Sequence, residues 1–527
     1  MKTWILGSGV ALGAPIIVTS SIVGACGASD HSGFTIAPSP DAGAEQASSG
    51  SNGTSPDAGG QGGPIPVFTD DSGSGSMGTS SSTCPSGVTT SISGKVYDPA
   101  GNNPLYNVAV YVPAAPLQPL PKGVPTGADA CSCGALFQSG AITNTTTAVD
   151  GTFHLANVPV GTSVPLVLQI GKWRRQIKVD VKGCQDNPQP DKSLAFLGTL
   201  APGDTTDSIP DIAVSTGGAD TLECLLLRVG LSASEYVPGS AGGGHIHVFS
   251  GGMPISGSST NGTGSGGAES PAMAGAPTSW TKLWDTQTDL MPYDILLLSC
   301  EGGETYNSNP IVLEQYLNAG GRAFASHYHY AWFAGSLGGD TSVPPPPVDW
   351  GSNLDEWNSS GTLPQTNGYA EVVQTLNGST SAFAKGQALA QWLQIVGALG
   401  IEGAPAGQIP ISDETQNAGA TNKAQPWLTD NGTTDYLSFD TPVDAPAPPD
   451  GGAPNYCGRA VFAGVHVDAD QSAASAGDKG PPPTGCVPGA LSPQEKALEF
   501  MLFDLSSCVL PDTVPPPVDA GLPPPPK

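Results

Sequence analysis

Basic residues are scarce in this sequence: 18 Lys and Arg stand against 46 Asp and Glu, for a formal net charge of −28. No cluster of them is available to neutralise a run of phosphates, and this excludes nucleic-acid binding as a function class. Aromatic side chains fill only 6% of 527 positions, whereas 71 Gly and 52 Pro crowd into Ser/Asp/Ala-rich stretches that cannot bury enough apolar surface to fold. What remains supports two modest cores. Histidine is rarer still, 7 in the whole chain. The segment RAFASHYHYAWF at 322–333, with two histidines one residue apart among aromatic rings, therefore stands out.

The N-terminus, MKTWILGSGVALGAPIIVTSSIVGAC, combines Lys2, an apolar stretch and Val23-Gly24-Ala25-Cys26. Small residues ahead of a cysteine resemble the lipobox of bacterial lipoproteins, with an uncleaved membrane anchor as the alternative. The resemblance implies a signal peptide over 1–25, lipidation of Cys26, and a chain lipid-anchored in the bacterial envelope, with the membrane as its partner. Gly27, where an Asp would be the other option, points to the outer membrane, with the protein facing the periplasm or the cell surface. Ten cysteines less Cys26 leave nine. In an oxidising compartment most should pair and one is left over, though connectivity stays open. Cys300 is expected among the paired ones.

Residues 26–83 are Gly/Ser/Ala/Asp/Pro-rich and contain SPDAG twice, at 39–43 and 55–59, as a flexible tether would. The Pro-rich tail over 511–527 reads as extended and unpacked. Both terminal segments are expected to be disordered. Between them lie two folded regions and a helix-bearing connector over 206–240, in which Leu222, Leu225, Leu226 and Val229 fall at helical spacing.

Over 84–205, alternating apolar residues (Ile92 and Val96, then Val108, Val110 and Val112) flank the turn DPAGNNP and suggest a β-hairpin. A second set of short strands follows Asp150-Gly151. Evenly punctuated short strands argue for an antiparallel β-sandwich. The pair GKVYDPAGNNPLYNVAVYV and DGTFHLANVPVGTSVPLVL is similar to the carboxypeptidase regulatory-like family, a transthyretin-like sandwich grouped with carbohydrate-binding-like folds. That resemblance implies an accessory module without catalytic residues, with carbohydrate as the favoured ligand class. Within it, GKWRRQ (171–176) is an aromatic-basic patch, and Trp173 and Arg174 are candidate binding residues for the second domain or a sugar. A charge-defended edge strand is the simpler account.

Over 241–510 the pattern becomes α/β, with a parallel sheet. YDILLLSCEGGE reads as a strand buried on both faces. Asn309 is an N-cap before Pro310, Gly320 is a terminator, and RAFASHY is the next strand. SPQEKALEFMLFDL opens with a capping box at Ser492 and Glu495. Three strands end in polar groups, Ser299-Cys300-Glu301, Ser326-His327-Tyr328-His329 and His466-Val467-Asp468. In an open parallel sheet that carboxyl edge is where ligands bind.

YDILLL, YLNAGGRAFASH and GRAVFAGVH resemble the class I glutamine-amidotransferase-like (flavodoxin-like) fold, and within it the ThuA-like branch. The resemblance carries His327 and His466 over as site positions. A Ser326/His466/Asp468 triad is conceivable, with Ser326 at the elbow, yet Phe324 and Tyr328 flank that elbow poorly. The rival chemistry is a divalent metal held by His327, His329 and His466, since residues i and i+2 on a strand share a face; no cofactor is otherwise implied. His245 and His247 offer the same spacing. Glu301 is a further candidate binding residue. The combined expectation is a cell-envelope lipoprotein that binds or scaffolds, leaning away from enzyme activity. The alternative is a glycan-directed hydrolase or lyase, metal-dependent or not, working at the strand-end histidines.

Overall fold

The computed structural model describes residues 84–513, apart from 128–129, 132, 218–219, 252–271, 302, 306, 338, 356, 358–367, 412–422, 431–432, 447–453 and 467–480. Cys26, the signal peptide, the tether, Asp468 and most of the tail lie outside these residues. No helix among the described residues is long and apolar enough to cross a membrane.

The chain is sheet-rich, with mixed and antiparallel sheets and few helices. In the N-terminal half, two four-stranded sheets enclose an apolar core that includes Val96, Val108, Val110, Leu155, Leu166 and Leu168. The expected hairpin does not form. Ser91–Tyr97 pairs with Thr152–Ala156 in one sheet, and Ala109–Pro113 pairs with Ala141–Thr146 and Gly161–Ile170 in the other. The turn DPAGNNP therefore carries the chain between sheets, which period-2 alternation alone does not distinguish from a hairpin. The sandwich is not purely antiparallel either, since Ser91–Tyr97 also pairs in parallel with Asp186–Pro188 and Leu194–Ala195.

The second half is built on a ten-stranded sheet. In spatial order its strands are Tyr236–Pro238, Ile246–Phe249, Ile212–Ser215, Ile295–Leu298, Arg322–Ser326, Gly458–Ala463, Thr433–Thr441, Gln425–Asp430, Gly368–Val372 and Gln408–Ile411. The first six run parallel and the last four continue antiparallel, so the expected parallel sheet is in fact mixed. The stretch 206–240 is more than a connector. Its IAVS run, Ile212–Ser215, is buried throughout and lies between Ile246–Phe249 and Ile295–Leu298. Four residues are too few to show a period, which hides this strand from sequence reading. The helix Leu222–Arg228 forms where the leucine spacing places it.

The two halves dock along the C-terminal helix Pro493–Ser506, capped by Ser492 and Glu495 as expected. Trp173 packs on Phe503 with ring centroids 5.3 Å apart, Tyr106 stacks on Phe500 at 6.0 Å, and the Trp392 indole donates to the Pro104 carbonyl at 2.6 Å. The disulfide Cys131–Cys457 ties the halves covalently, Cys84–Cys184 closes the sandwich and Cys224–Cys486 staples the second half. The Pro-rich tail starts later than 511, because Asp512 is drawn into the fold by Arg459 at 2.8 Å.

A buried carboxyl pair also lies between the halves. Glu499 of the C-terminal helix is hydrogen-bonded to Asp98, and Asn103 donates to Glu499 at 2.6 Å. Burial pushes the Glu499 carboxyl well above its usual range and the Asp98 charge pushes the same way, against Lys496. Burial likewise raises Asp98, against the backbone N–H groups of Asn102, Asn103 and Gly101. A folded-state pKa above the unfolded one means that the stabilisation is complete below the unfolded value, about 4, and is lost as pH rises through the folded one. Thermal melts across about pH 5 to about pH 9 should therefore show falling stability, and Glu499→Gln should flatten that slope. A slope unchanged in the variant would remove this pair as its cause.

Candidate metal centre

Strand register decides which of the sequence candidates meet. Leu298 lies opposite Ala325 and Ser326 opposite Ala463, so the carboxyl ends of Ile295–Leu298, Arg322–Ser326 and Gly458–Ala463 sit side by side. Just beyond those ends the chain places Cys300, His327 and His466, with one ligand atom from each lying within 4.8 Å of the others. His327 Nδ1 is 2.7 Å from His466 Nε2 and 3.3 Å from Cys300 Sγ. All three residues are buried, at 0%, 3% and 4% exposure for Cys300, His327 and His466.

The backbone explains how His327 enters the cluster. Ser326 is still extended, at φ −114° and ψ 147°, and His327 takes φ 46° before the chain turns into a 3-10 turn and the helix Tyr330–Ala334. A left-handed residue between strand and helix throws its side chain off the sheet edge, at a cost of about 1–3 kcal/mol in backbone strain. The elbow residue is thus His327 and not Ser326. The Ser326 hydroxyl instead accepts the Cys300 N–H at 3.1 Å, holding two neighbouring strand ends in step. Cys300 itself is pressed by Gly217, where an added Cβ would lie 2.2 Å from the Cys300 carbonyl oxygen, so only glycine fits there.

Several candidates fall elsewhere. His329 is turned away from the cluster, with Nδ1 3.2 Å from the Ser326 carbonyl, because the 3-10 turn ends the i, i+2 relation of a strand. It is therefore not grouped with His327 and His466 as a ligand. Of the triad, Ser326 is 0% exposed with its hydroxyl accepting the Cys300 N–H, and Asp468 is outside the described residues. Glu301 accepts from Thr305 at 3.2 Å and is not a member of the three-residue cluster. His245 and His247 do not chelate together: His245 is paired with Glu235 at 2.6 Å, while His247 contacts the Gly239 carbonyl at 2.8 Å. Trp173 and Arg174 are 0% and 3% exposed and serve the interior, Arg174 donating to the carbonyls of Thr206 and Gln118. Neither is available to a sugar.

Cys300 is the residue that sequence reading missed. It was expected in a disulfide, yet it keeps a buried thiol while Cys84, Cys131, Cys184, Cys224, Cys457, Cys486 and Cys508 are all disulfide-bonded. The usable signal was parity, since the nine cysteines after Cys26 cannot all pair with one another, and the odd one lies at the strand edge. The electrostatics suit ligation. Burial pushes His327 well below the usual imidazole range, helped by the neighbouring His466 and His329, and burial brings His329 down to about 4. His327 is thus neutral at pH 7, as a metal ligand must be. Two imidazoles and one thiolate form a donor set for zinc or copper rather than for a hard cation such as calcium. Around one metal, with bonds of about 2.0–2.1 Å, the two imidazole nitrogens would open from 2.7 Å to about 3.3 Å, a movement well under 1 Å.

No family model matches the chain, and no curated protein matches it. Among solved structures, the β-galactosidase from Rahnella sp. R3 aligns at 11% identity and a TM-score of 0.21, covering 50% of this chain and 29% of its own. A likeness of that size carries no argument about fold or function.

Proposed function

We propose that this chain is an exported, envelope-tethered lipoprotein that holds a transition-metal ion at Cys300, His327 and His466 and acts as a binding or scaffold protein rather than a glycan hydrolase. The observation that carries the reading is the convergence of three buried soft or borderline donors, from three adjacent strand ends, within 4.8 Å. Export is supported by the disulfides, which persist in oxidising compartments, and by the lipobox-like segment around Cys26. A flavodoxin-like, ThuA-like reading of the second half is supported by the parallel order of five strands: Ile246–Phe249, Ile212–Ser215, Ile295–Leu298, Arg322–Ser326 and Gly458–Ala463.

A hydrolytic metal needs a coordination position open to substrate, and donors this deeply buried disfavour it. Carbohydrate stays the ligand class suggested by the sandwich resemblance, to be met on exposed surface rather than at the histidines. The test is the metal content of the purified full chain against Cys300→Ser, His327→Gly and His329→Asn. Glycine at 327 relieves the left-handed backbone, so its loss of metal would not reflect strain. The expected result is near-stoichiometric metal in the parent and in His329→Asn, with loss in the other two. Metal retained in Cys300→Ser and His327→Gly, or absent from a parent purified from zinc- and copper-supplemented medium, would sink the reading.

A further inference from the structure

We infer that the centre at Cys300, His327 and His466 is a one-electron copper site, connected to the protein surface by a chain of aromatic rings. The inference rests on the metal reading above and adds the identity and work of the metal. One thiolate and two imidazoles are the three strong ligands of trigonal copper electron-transfer sites, in which any further ligand is weak and long. The cluster supplies those three donors and buries them, so the metal is kept from water and from substrates that need an open position.

An independent observation points the same way. The Tyr328 ring lies 4.1 Å from the His327 ring, Tyr330 is 6.2 Å from Tyr328, and Trp357 is 6.4 Å from Tyr330, all centroid to centroid. Tyr328 and Trp357 are both partly exposed. The ligand itself is therefore the first ring of a path that reaches solvent, as an electron leaving or entering a buried ion requires. The step is Cu(II) plus one electron giving Cu(I), the electron coming from a soluble one-electron carrier. No bond to Cys300, His327 or His466 breaks and no proton is transferred. Loading the metal releases the thiol proton of Cys300 to solvent, while each neutral imidazole keeps one proton on the ring nitrogen that does not face the metal.

The test loads purified full chain, freed of metal, with Cu(II) or with Co(II) in parallel. The expected result is one equivalent of Cu(II) with an intense visible thiolate-to-copper band, bleached by ferrocyanide and absent in Cys300→Ser. In Tyr328→Leu the same band should appear and bleach several-fold more slowly. Should Cys300→Ser fail to fold, thiol titration of the parent replaces it, Cys300 being reactive in denatured metal-free chain and blocked after copper loading. One equivalent of Co(II) bound through sulfur, with Cu(II) giving no such band or oxidising the thiol, would overturn the copper inference and leave the metal centre standing. Neither ion bound would overturn both. A copper band whose bleaching is unaffected in Tyr328→Leu would overturn the aromatic path.

Discussion

Replacing Arg459 with leucine should destabilise the fold by about 3–5 kcal/mol or more, read as a lowered denaturant midpoint. The guanidinium is 2% exposed. It pairs with Asp440 at 2.6 Å, Asp504 at 3.1 Å and Asp512 at 2.8 Å, and donates to the Leu510 carbonyl at 3.2 Å. Each carboxylate comes from a different element: Asp440 from Thr433–Thr441, Asp504 from the C-terminal helix and Asp512 from the segment after it. Without the arginine, three carboxylates would share a buried site with Lys385, which holds Asp504 at 2.8 Å, and Arg322, which lies within electrostatic reach of Asp440 and Asp504. Burial acts to raise Asp504, yet Lys385 and Arg459 hold it below the usual carboxylate range. That part of the stability is present above the unfolded pKa and is lost as pH falls through the folded one, so the parent should lose it in acid and Arg459→Leu, left with the Lys385 share, should lose less. Adding Asp440→Asn to the variant should recover part of the loss, because the uncompensated charge carries most of the cost. A midpoint shift equivalent to under about 1 kcal/mol would mean that water reaches the site and the pairs are of the weak surface kind.

The strand that carries Arg459 at its start, Gly458–Ala463, leads to His466 beyond its other end. Its burial on both faces was legible from CGRAVFAGVHVD as a continuous apolar run, and the convergence of strand ends followed from the general behaviour of parallel sheets. Which residues converge was only partly legible. His327 and His466 were recognisable as candidates, but the elbow at 327 depends on a left-handed backbone that no pattern of apolar residues encodes. His329 was misread for the same reason: the i, i+2 rule holds on a strand, and the strand ends at Ser326. Cys300 was obscured by the expectation that exported cysteines pair, although the odd count already required one exception. In the sandwich, turn chemistry located the strands but not their sheets, because a loop that crosses between layers uses the same Pro, Gly and Asn residues as a hairpin turn.

Trp173→Ala should cost about 3–5 kcal/mol, the range for removing a large buried aromatic side chain. The sequence offered Trp173 as a contact for a sugar or for the second domain; in the fold it is 0% exposed and lies in the seam between the two halves, against Phe503. Its ring meets Phe503 at 5.3 Å and Phe196 at 6.4 Å, and its indole N–H donates to the Ser506 hydroxyl at 3.2 Å. The C-terminal helix that receives it also reaches the Cys300, His327 and His466 cluster proposed to hold the metal, since Gln494 at its other end donates to the His466 carbonyl at 2.7 Å. The same helix anchors Arg322, the first residue of the His327 strand, through the Leu505 carbonyl at 3.0 Å. The sandwich therefore braces the helix that positions two of the three donors. Trp173→Ala should accordingly weaken metal retention under chelator challenge as well as lower the melting temperature. Phe503→Ala should do the same, and the double variant should fall short of the sum of the two, because each single change already removes their shared contact. Full additivity, with metal retention unchanged in all three, would mean that the two halves are energetically independent despite the disulfide Cys131–Cys457 that joins them.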